Sequence, residues 1–69
     1  MKVTLKALRV NSGLTQTEAA QKIGVSRVTL KNWENSYTYP NMRQLARICE
    51  TYGCGMADIF LPTEFALRE

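Results

Sequence analysis

The nine residues AAQKIGVSR, positions 19–27, hold the end of one helix and the start of another with only Gly24 and Val25 between them. Glycine adopts the left-handed conformation that terminates a helix without a Cβ clash, and serine is a preferred N-cap because its hydroxyl accepts a backbone N–H of the turn that follows. Gly24 therefore closes one helix and Ser26 opens the next. Two helices joined so tightly must hold a fixed angle to one another, and both must present small or apolar residues where they meet. The chain has 69 residues. A domain of about that size buries only about 60% of the surface its unfolded chain exposes, so stability is marginal and every packed residue counts.

Similar signals punctuate the rest of the chain. Over residues 2–10, KVTLKALRV, Leu5 and Leu8 lie three apart with basic residues around them, which predicts a first helix ending near Asn11 ahead of Gly13. Thr15 and Glu18 have the T-x-x-E spacing of a capping box, with Leu14 and Ala19 at hydrophobic-staple positions. The second helix runs from there to about Ile23, with Ala19, Ala20 and Ile23 on one face. The third turns Leu30 and Trp33 inward, with Val25 and Leu30 as its staple, and leaves Arg27, Val28, Lys31, Asn32 and Asn35 on the outer side. NSYTYPN, residues 35–41, reads as a loop because Pro40 disfavours helix at Tyr39. A fourth helix, capped by Asn41, offers Met42, Leu45, Ala46, Ile48, Cys49 and Tyr52 as an apolar face and stops at Gly53. A fifth, about Met56 to Leu61, offers Met56, Ile59 and Phe60 to the core before Pro62. The expectation is a compact all-α fold of five short helices without strands, with one domain over residues 1–62. Residues 63–69 form a tail that reads as a frayed turn, an added helix or a contact to a second subunit.

An apolar fraction of 45% and a charged fraction of 22% are those of an ordinary globular domain. No apolar run approaches the roughly 20 residues that span a bilayer, and the start MKVTLKALRV carries Lys2, Lys6 and Arg9 where a signal peptide is apolar, so no membrane association and a cytoplasmic location are expected. Two cysteines are too few for a disulfide framework, and with no histidine they cannot complete a zinc set. Cys49 reads as a small buried hydrophobe and Cys54 as a loop thiol. Without histidine, a metal cluster, a phosphate-binding glycine loop or paired carboxylates in an apolar pocket, the chain is not expected to be an enzyme or to need a cofactor or metal. Nothing after Leu61 is long enough for a small-molecule sensing domain, so no small-molecule ligand is expected. Charge divides the chain: residues 1–47 carry eight Lys/Arg against two acids, a net +6, whereas residues 48–69 carry a net −3. Such asymmetry suits a polyanion-binding front with an acidic back.

Two helices joined by a short glycine-containing turn describe a helix-turn-helix, in which the first helix crosses the phosphate backbone and the second lies in the DNA major groove. The stretches GLTQTEAAQKIGVSRVTLKNWEN and LARICETYGCGMADIFL, with Pro40 between them, resemble the family of phage repressors, Cro-like proteins and small bacterial regulators. The resemblance spans about residues 4–61, with Gln16, Ala20, Gly24, Ser26 and Glu34 where the family pattern has them. It implies a lambda-repressor-like domain that binds double-stranded DNA as a homodimer on a palindromic operator and regulates transcription.

The resemblance also implies roles. Arg27, Val28, Lys31 and Asn32 match positions from which the recognition helix reaches base edges. Their chemistry suits this: Arg or Lys donates to guanine O6 and N7, Asn pairs with adenine N6 and N7, and Val can touch a thymine methyl. Gln16 and Thr17 match the phosphate-anchoring start of helix two, Asn35 and Tyr37 a second phosphate-contacting segment, and Arg43 a further backbone contact. Arg9 and Glu34 match a structural ion pair. Trp33, three residues from Leu30, belongs to the core, while Tyr37 and Tyr39 are open between packing on the core and offering hydroxyls to phosphates. The chain departs from the family after Asn35, where glycine and basic residues are usual and Ser36, Tyr37, Thr38 and Tyr39 stand instead. That weakens the expected phosphate grip of the loop and lowers counterion release. The competing reading is a protein-interaction module of the antitoxin or antirepressor type, whose acidic C-terminal surface binds a protein partner.

Overall fold

A computed structural model describes residues 2–60. The element order is β1 (Val3–Thr4), α1 (Leu5–Asn11), α2 (Gln16–Ile23), α3 (Arg27–Glu34), α4 (Met42–Tyr52), a 3-10 turn (Met56–Asp58) and β2 (Ile59–Phe60). Each of the four helices begins on a capping side chain. Thr4 accepts from the Ala7 N–H at 3.2 Å, Thr15 from Glu18 at 3.1 Å, Ser26 from Thr29 at 3.1 Å and Asn41 from Gln44 at 2.8 Å. Thr15 and Glu18 complete a reciprocal capping box, and so do Asn41 and Gln44, whose N-x-x-Q spacing carries the same signature.

The helices also end alike. A left-handed residue (Gly13, Gly24, Ser36 or Gly53) turns the chain, and the N–H beyond it folds back on the carbonyl five residues earlier. The four bonds run Leu14 to Arg9 at 3.3 Å, Val25 to Ala20 at 3.0 Å, Tyr37 to Asn32 at 2.9 Å and Cys54 to Cys49 at 3.1 Å. This Schellman arrangement satisfies carbonyls that a helix terminus otherwise leaves orphaned, and it reverses the chain so quickly that four helices fit in so short a polypeptide.

Leu5, Ala19, Ala20, Ile23, Leu30, Trp33, Ile48 and Ile59 form the buried core, with Leu8, Leu14, Val25, Leu45, Cys49, Tyr52 and Cys54 packed around it. Ala20 is small where Val25 folds back onto α2. Trp33 is 4% exposed and fills the core rather than offering a surface ring.

Four expectations are corrected. The fifth helix is replaced by a single 3-10 turn, in which the Asp58 carboxylate accepts from the Gly55 N–H at 3.0 Å, because Ile59 and Phe60 are extended and pair with another segment instead of continuing the helix. Those two residues form a parallel ladder with Val3 and Thr4, so the fold is mostly helical but not strand-free. Thr4 caps α1, which places Lys2–Thr4 before the helix rather than within it. Finally, Met42 (68% exposed), Ala46 and Met56 lie outside the core, whose α4 contribution narrows to Leu45, Ile48, Cys49 and Tyr52. The tail assigned to residues 63–69 and the end of the expected fifth helix lie outside the described residues. Among the described residues no helix is long and apolar enough to cross a membrane.

The joint between α2 and α3 has a guard from α4. Arg47 Nη1 donates to the Ile23 carbonyl at 3.2 Å, capping the C-terminus of α2, and a Cβ on Gly24 would lie 2.7 Å from that nitrogen. Gly24 (φ +91°) is thus constrained twice, by its backbone angle and by the guanidinium above it, whereas a Cβ at Gly53 (φ +67°) would meet nothing within 4 Å. Gly53→Ala is expected to cost about 1–2 kcal/mol from the left-handed strain alone. Gly24→Ala should cost more, by roughly the 1 kcal/mol of a displaced hydrogen bond. In urea unfolding the excess should vanish in an Arg47→Ala background; an excess that persists would show that Arg47 is not its source.

Candidate nucleic-acid interface

A buried carboxylate holds the face together. The Glu34 side chain, at the end of α3, is 2% exposed, and Arg9 of α1 covers it with a side chain 12% exposed. Arg9 Nε donates to Glu34 Oε2 at 2.7 Å and Nη2 to Oε1 at 3.3 Å, while Nη1 donates to the Leu14 carbonyl at 2.9 Å. The Glu34 hydrogen bond raises the Arg9 pKa above its already high ordinary value, so the guanidinium stays charged. Gln16, the first residue of α2, adds a donor through Nε2 to Glu34 Oε1 at 3.1 Å. Three helices therefore converge on one carboxylate.

The chain of contacts continues outward. Gln16 Oε1 accepts from Arg27 Nη1 at 3.3 Å. Since the Gln16 amide nitrogen is committed to Glu34, its oxygen must face Arg27, so the buried pair sets the orientation of an exposed arginine at the start of α3. One Gln16 Nε2 proton and the rest of the Arg27 guanidinium are left over for a ligand.

Arg27, Val28 and Lys31 are exposed along the outer side of α3, with Val28 at 61%, and Asn32 is half-buried beside them. Thr17 is exposed in the first turn of α2, next to Gln16 and to backbone N–H groups that have no intrahelical partner. Asn35 caps α3, and Tyr37 follows the left-handed Ser36 with 76% of its surface exposed, which favours its hydroxyl meeting solvent or ligand over core packing. Tyr39 is also exposed. Arg43 is exposed in the first turn of α4 and makes no hydrogen bond to the other residues of the face. Arg27 and Gln16 are thus in contact, Val28, Lys31 and Asn32 share a helix face with Arg27, and Arg43 stands apart.

Two features escaped sequence reasoning. The Gln16–Arg27 contact joins residues 11 apart in sequence and follows no local spacing rule. Arg47 follows no local pattern either, and only its position above the α2–α3 joint shows its use. Behind the face, Tyr52 has a buried hydroxyl without a hydrogen-bond partner, and its pKa is pushed up from 10.0 to about 12, first by burial and then by the charge of Glu34. Among the described residues no group of three or more His, Cys, Asp or Glu is placed to hold a metal ion.

Comparison with known proteins matches residues 5–59 to the helix-turn-helix family profile. The chain is 36% identical over 61 residues to an uncharacterised HTH-type transcriptional regulator of Methanocaldococcus jannaschii, covering 88% of this chain and 92% of the relative. It is 30% identical over 61 residues to another such regulator of Archaeoglobus fulgidus, covering 88% and 87%. With the HTH-type transcriptional activator BcrR of Enterococcus faecalis it shares 38% identity over 48 residues, covering 70% of this chain but only 24% of that longer protein.

Because the Glu34 carboxylate is buried, Glu34→Leu should destabilise by about 3–5 kcal/mol by stranding Arg9. The double change Arg9→Met/Glu34→Leu should recover much of that loss; simple addition of the two single losses in denaturant titrations would refute the pairing energetics. A second expectation concerns alkaline pH. The folded pKa of Tyr52 lies above the unfolded one, so the native state binds the proton more tightly and stability falls as pH rises from 10 to about 12. Tyr52→Phe should be neutral or stabilising at pH 7 and should shallow that alkaline decline; an unchanged slope would mean that Tyr52 is not its origin.

Proposed function

Because the chain belongs to the helix-turn-helix family, we propose that it is a double-stranded-DNA-binding transcription regulator that docks α3 in the major groove and reads sequence there. The observation that carries this reading is the contact chain from Glu34 through Gln16 to Arg27, which pre-organises an exposed basic residue at the N-terminus of α3. A guanidinium already held in place loses less freedom on meeting a base edge, so more of the contact energy goes into discrimination. Arg27 and Lys31 donate to guanine, Asn32 pairs with adenine, and Val28 meets a thymine methyl. Gln16, Thr17, Asn35, Tyr37 and Arg43 contact phosphates, the first two beside the positive end of α2.

Two copies bind as a homodimer on a palindromic operator, with half-sites one helical turn apart. Tyr37 and Tyr39 in place of basic residues make the backbone grip rely on neutral hydroxyls, so few counterions are released and the salt dependence of binding is shallow. The regulator names of the relatives, BcrR among them as an activator, support transcriptional control, whose sign depends on where the operator lies.

The test is selection of duplexes from a random pool by the purified chain at low and near-physiological salt. Enrichment of an inverted repeat with half-site centres about 10 bp apart is expected; recovery of no motif, with binding lost as salt rises, would overturn sequence reading and turn attention to a protein partner. On the selected operator, Arg27→Ala and Asn32→Ala should each cost roughly 1–3 kcal/mol and relax preference at one base pair. Gln16→Ala should weaken all sequences alike if its dominant contact is with phosphate, and a changed base preference would assign it to base reading through Arg27.

A further inference from the structure

At the end of α4 the fold-back motif brings two thiols together. The Cys54 N–H donates to the Cys49 carbonyl at 3.1 Å across the left-handed Gly53. In such helix ends the side chain beyond the left-handed residue frequently packs back on the helix near the residue whose carbonyl it caps, as Leu14 and Val25 pack on the core here, although Tyr37 does not. At the other three ends the paired residues are Arg9 with Leu14, Ala20 with Val25 and Asn32 with Tyr37. Here both are cysteines, both free and both half-buried against the core. A direct backbone hydrogen bond between two residues also keeps their Cα atoms within about 7 Å, the limit that a disulfide bridges without backbone movement.

We propose that Cys49 and Cys54 are a redox modification site that closes to an intrachain disulfide when it meets a small-molecule disulfide such as oxidised glutathione. One cysteine, as thiolate, attacks a sulfur of the oxidant, forming a mixed disulfide and releasing one glutathione thiolate. The second cysteine gives its proton to solvent and attacks the protein sulfur of the mixed disulfide, and the other glutathione leaves as thiolate. Two protein thiols are oxidised, one small disulfide is reduced to two thiols, and one S–S bond is exchanged for another. The ring spans residues 49–54, encloses Tyr52, and ties the last turn of α4 to the turn that leads into β2. It leaves α2 and α3 untouched. Burial, with Cys49 adding to it, pushes the Cys54 thiol above its ordinary pKa, so exchange near neutral pH is slow and the site is judged at equilibrium.

The experiment incubates the full chain, without air, in graded mixtures of reduced and oxidised glutathione until acid-quenched mass spectra stop changing, followed by peptide mapping and thermal melts. The expected product at the oxidising end is a monomer lighter by two hydrogens with a 49–54 cross-link and a higher melting temperature than the reduced chain. Cys49→Ala and Cys54→Ala should each acquire a single glutathione adduct instead. Glutathione adducts on the unaltered chain without a bridge, a bridge between two chains, a chain that stays reduced throughout, or a bridged chain that melts lower would each overturn the proposal of a preformed site.

Discussion

A carboxylate almost wholly withdrawn from water is tolerable only if charge and hydrogen bonds replace its hydration, and at Glu34 the replacement comes from two other helices. Arg9 brings α1, Gln16 brings α2, and the carboxylate itself ends α3. The net stabilisation from such a pair is small, since desolvation offsets most of the attraction. Its value lies in geometry: few relative placements of three short helices satisfy all the donors at once. The apolar core of Leu5, Ala20, Ile23, Leu30 and Trp33 drives collapse without direction, and the ion pair selects among the ways that core can pack.

The repeated helix ending explains how so short a chain has room for this arrangement. Each left-handed residue reverses the backbone within one turn and returns the next backbone N–H to its own helix. At Gly24 the reversal sets the α2–α3 joint, with Arg47 closing it from above. At Ser36 the same conformation is held by a residue with a Cβ, at a cost of about 1–2 kcal/mol, and that ending projects Tyr37 outward beside α3. Strain in a small protein persists where the surroundings enforce it, and here it coincides with a loop that flanks the exposed face of α3.

Structure and family membership meet at that face. A rigid scaffold anchored at Glu34 presents Arg27 through Gln16, and the remaining side chains of α3 follow from helical spacing. The helix-turn-helix profile covers the same residues that build the scaffold, including Arg9, Gly24 and Glu34. The exposed positions of α3 lie where side chains can change without disturbing the core. Cys49 and Cys54, at the end of α4 and just beyond it, lie outside this scaffold, so the proposed bridge acts on the stability of one helix end and not on the exposed side chains of α3.

Local chemistry was legible in the sequence: caps at Thr15, Ser26 and Asn41, stops at Gly13, Gly24 and Gly53, the inward Leu30 and Trp33, and the outward Arg27, Val28 and Lys31. Each depends on residues within about one helical turn of one another, and such spacing is written directly in the chain. The parallel pairing of Val3–Thr4 with Ile59–Phe60 was not legible, because two-residue strands have no periodicity and their partners are far apart in sequence. Nor was the exposure of Met42 and Met56, since an apolar residue shows only what it would prefer and not whether a neighbour arrives to cover it. The sequence by itself determined where α2 and α4 start and stop, where α3 starts and which face of α3 points outward. Only the tertiary structure decided that Gln16 faces both Glu34 and Arg27, that Arg47 covers Gly24, and that β2 pairs with β1, because each depends on the distance between groups that chain order does not specify.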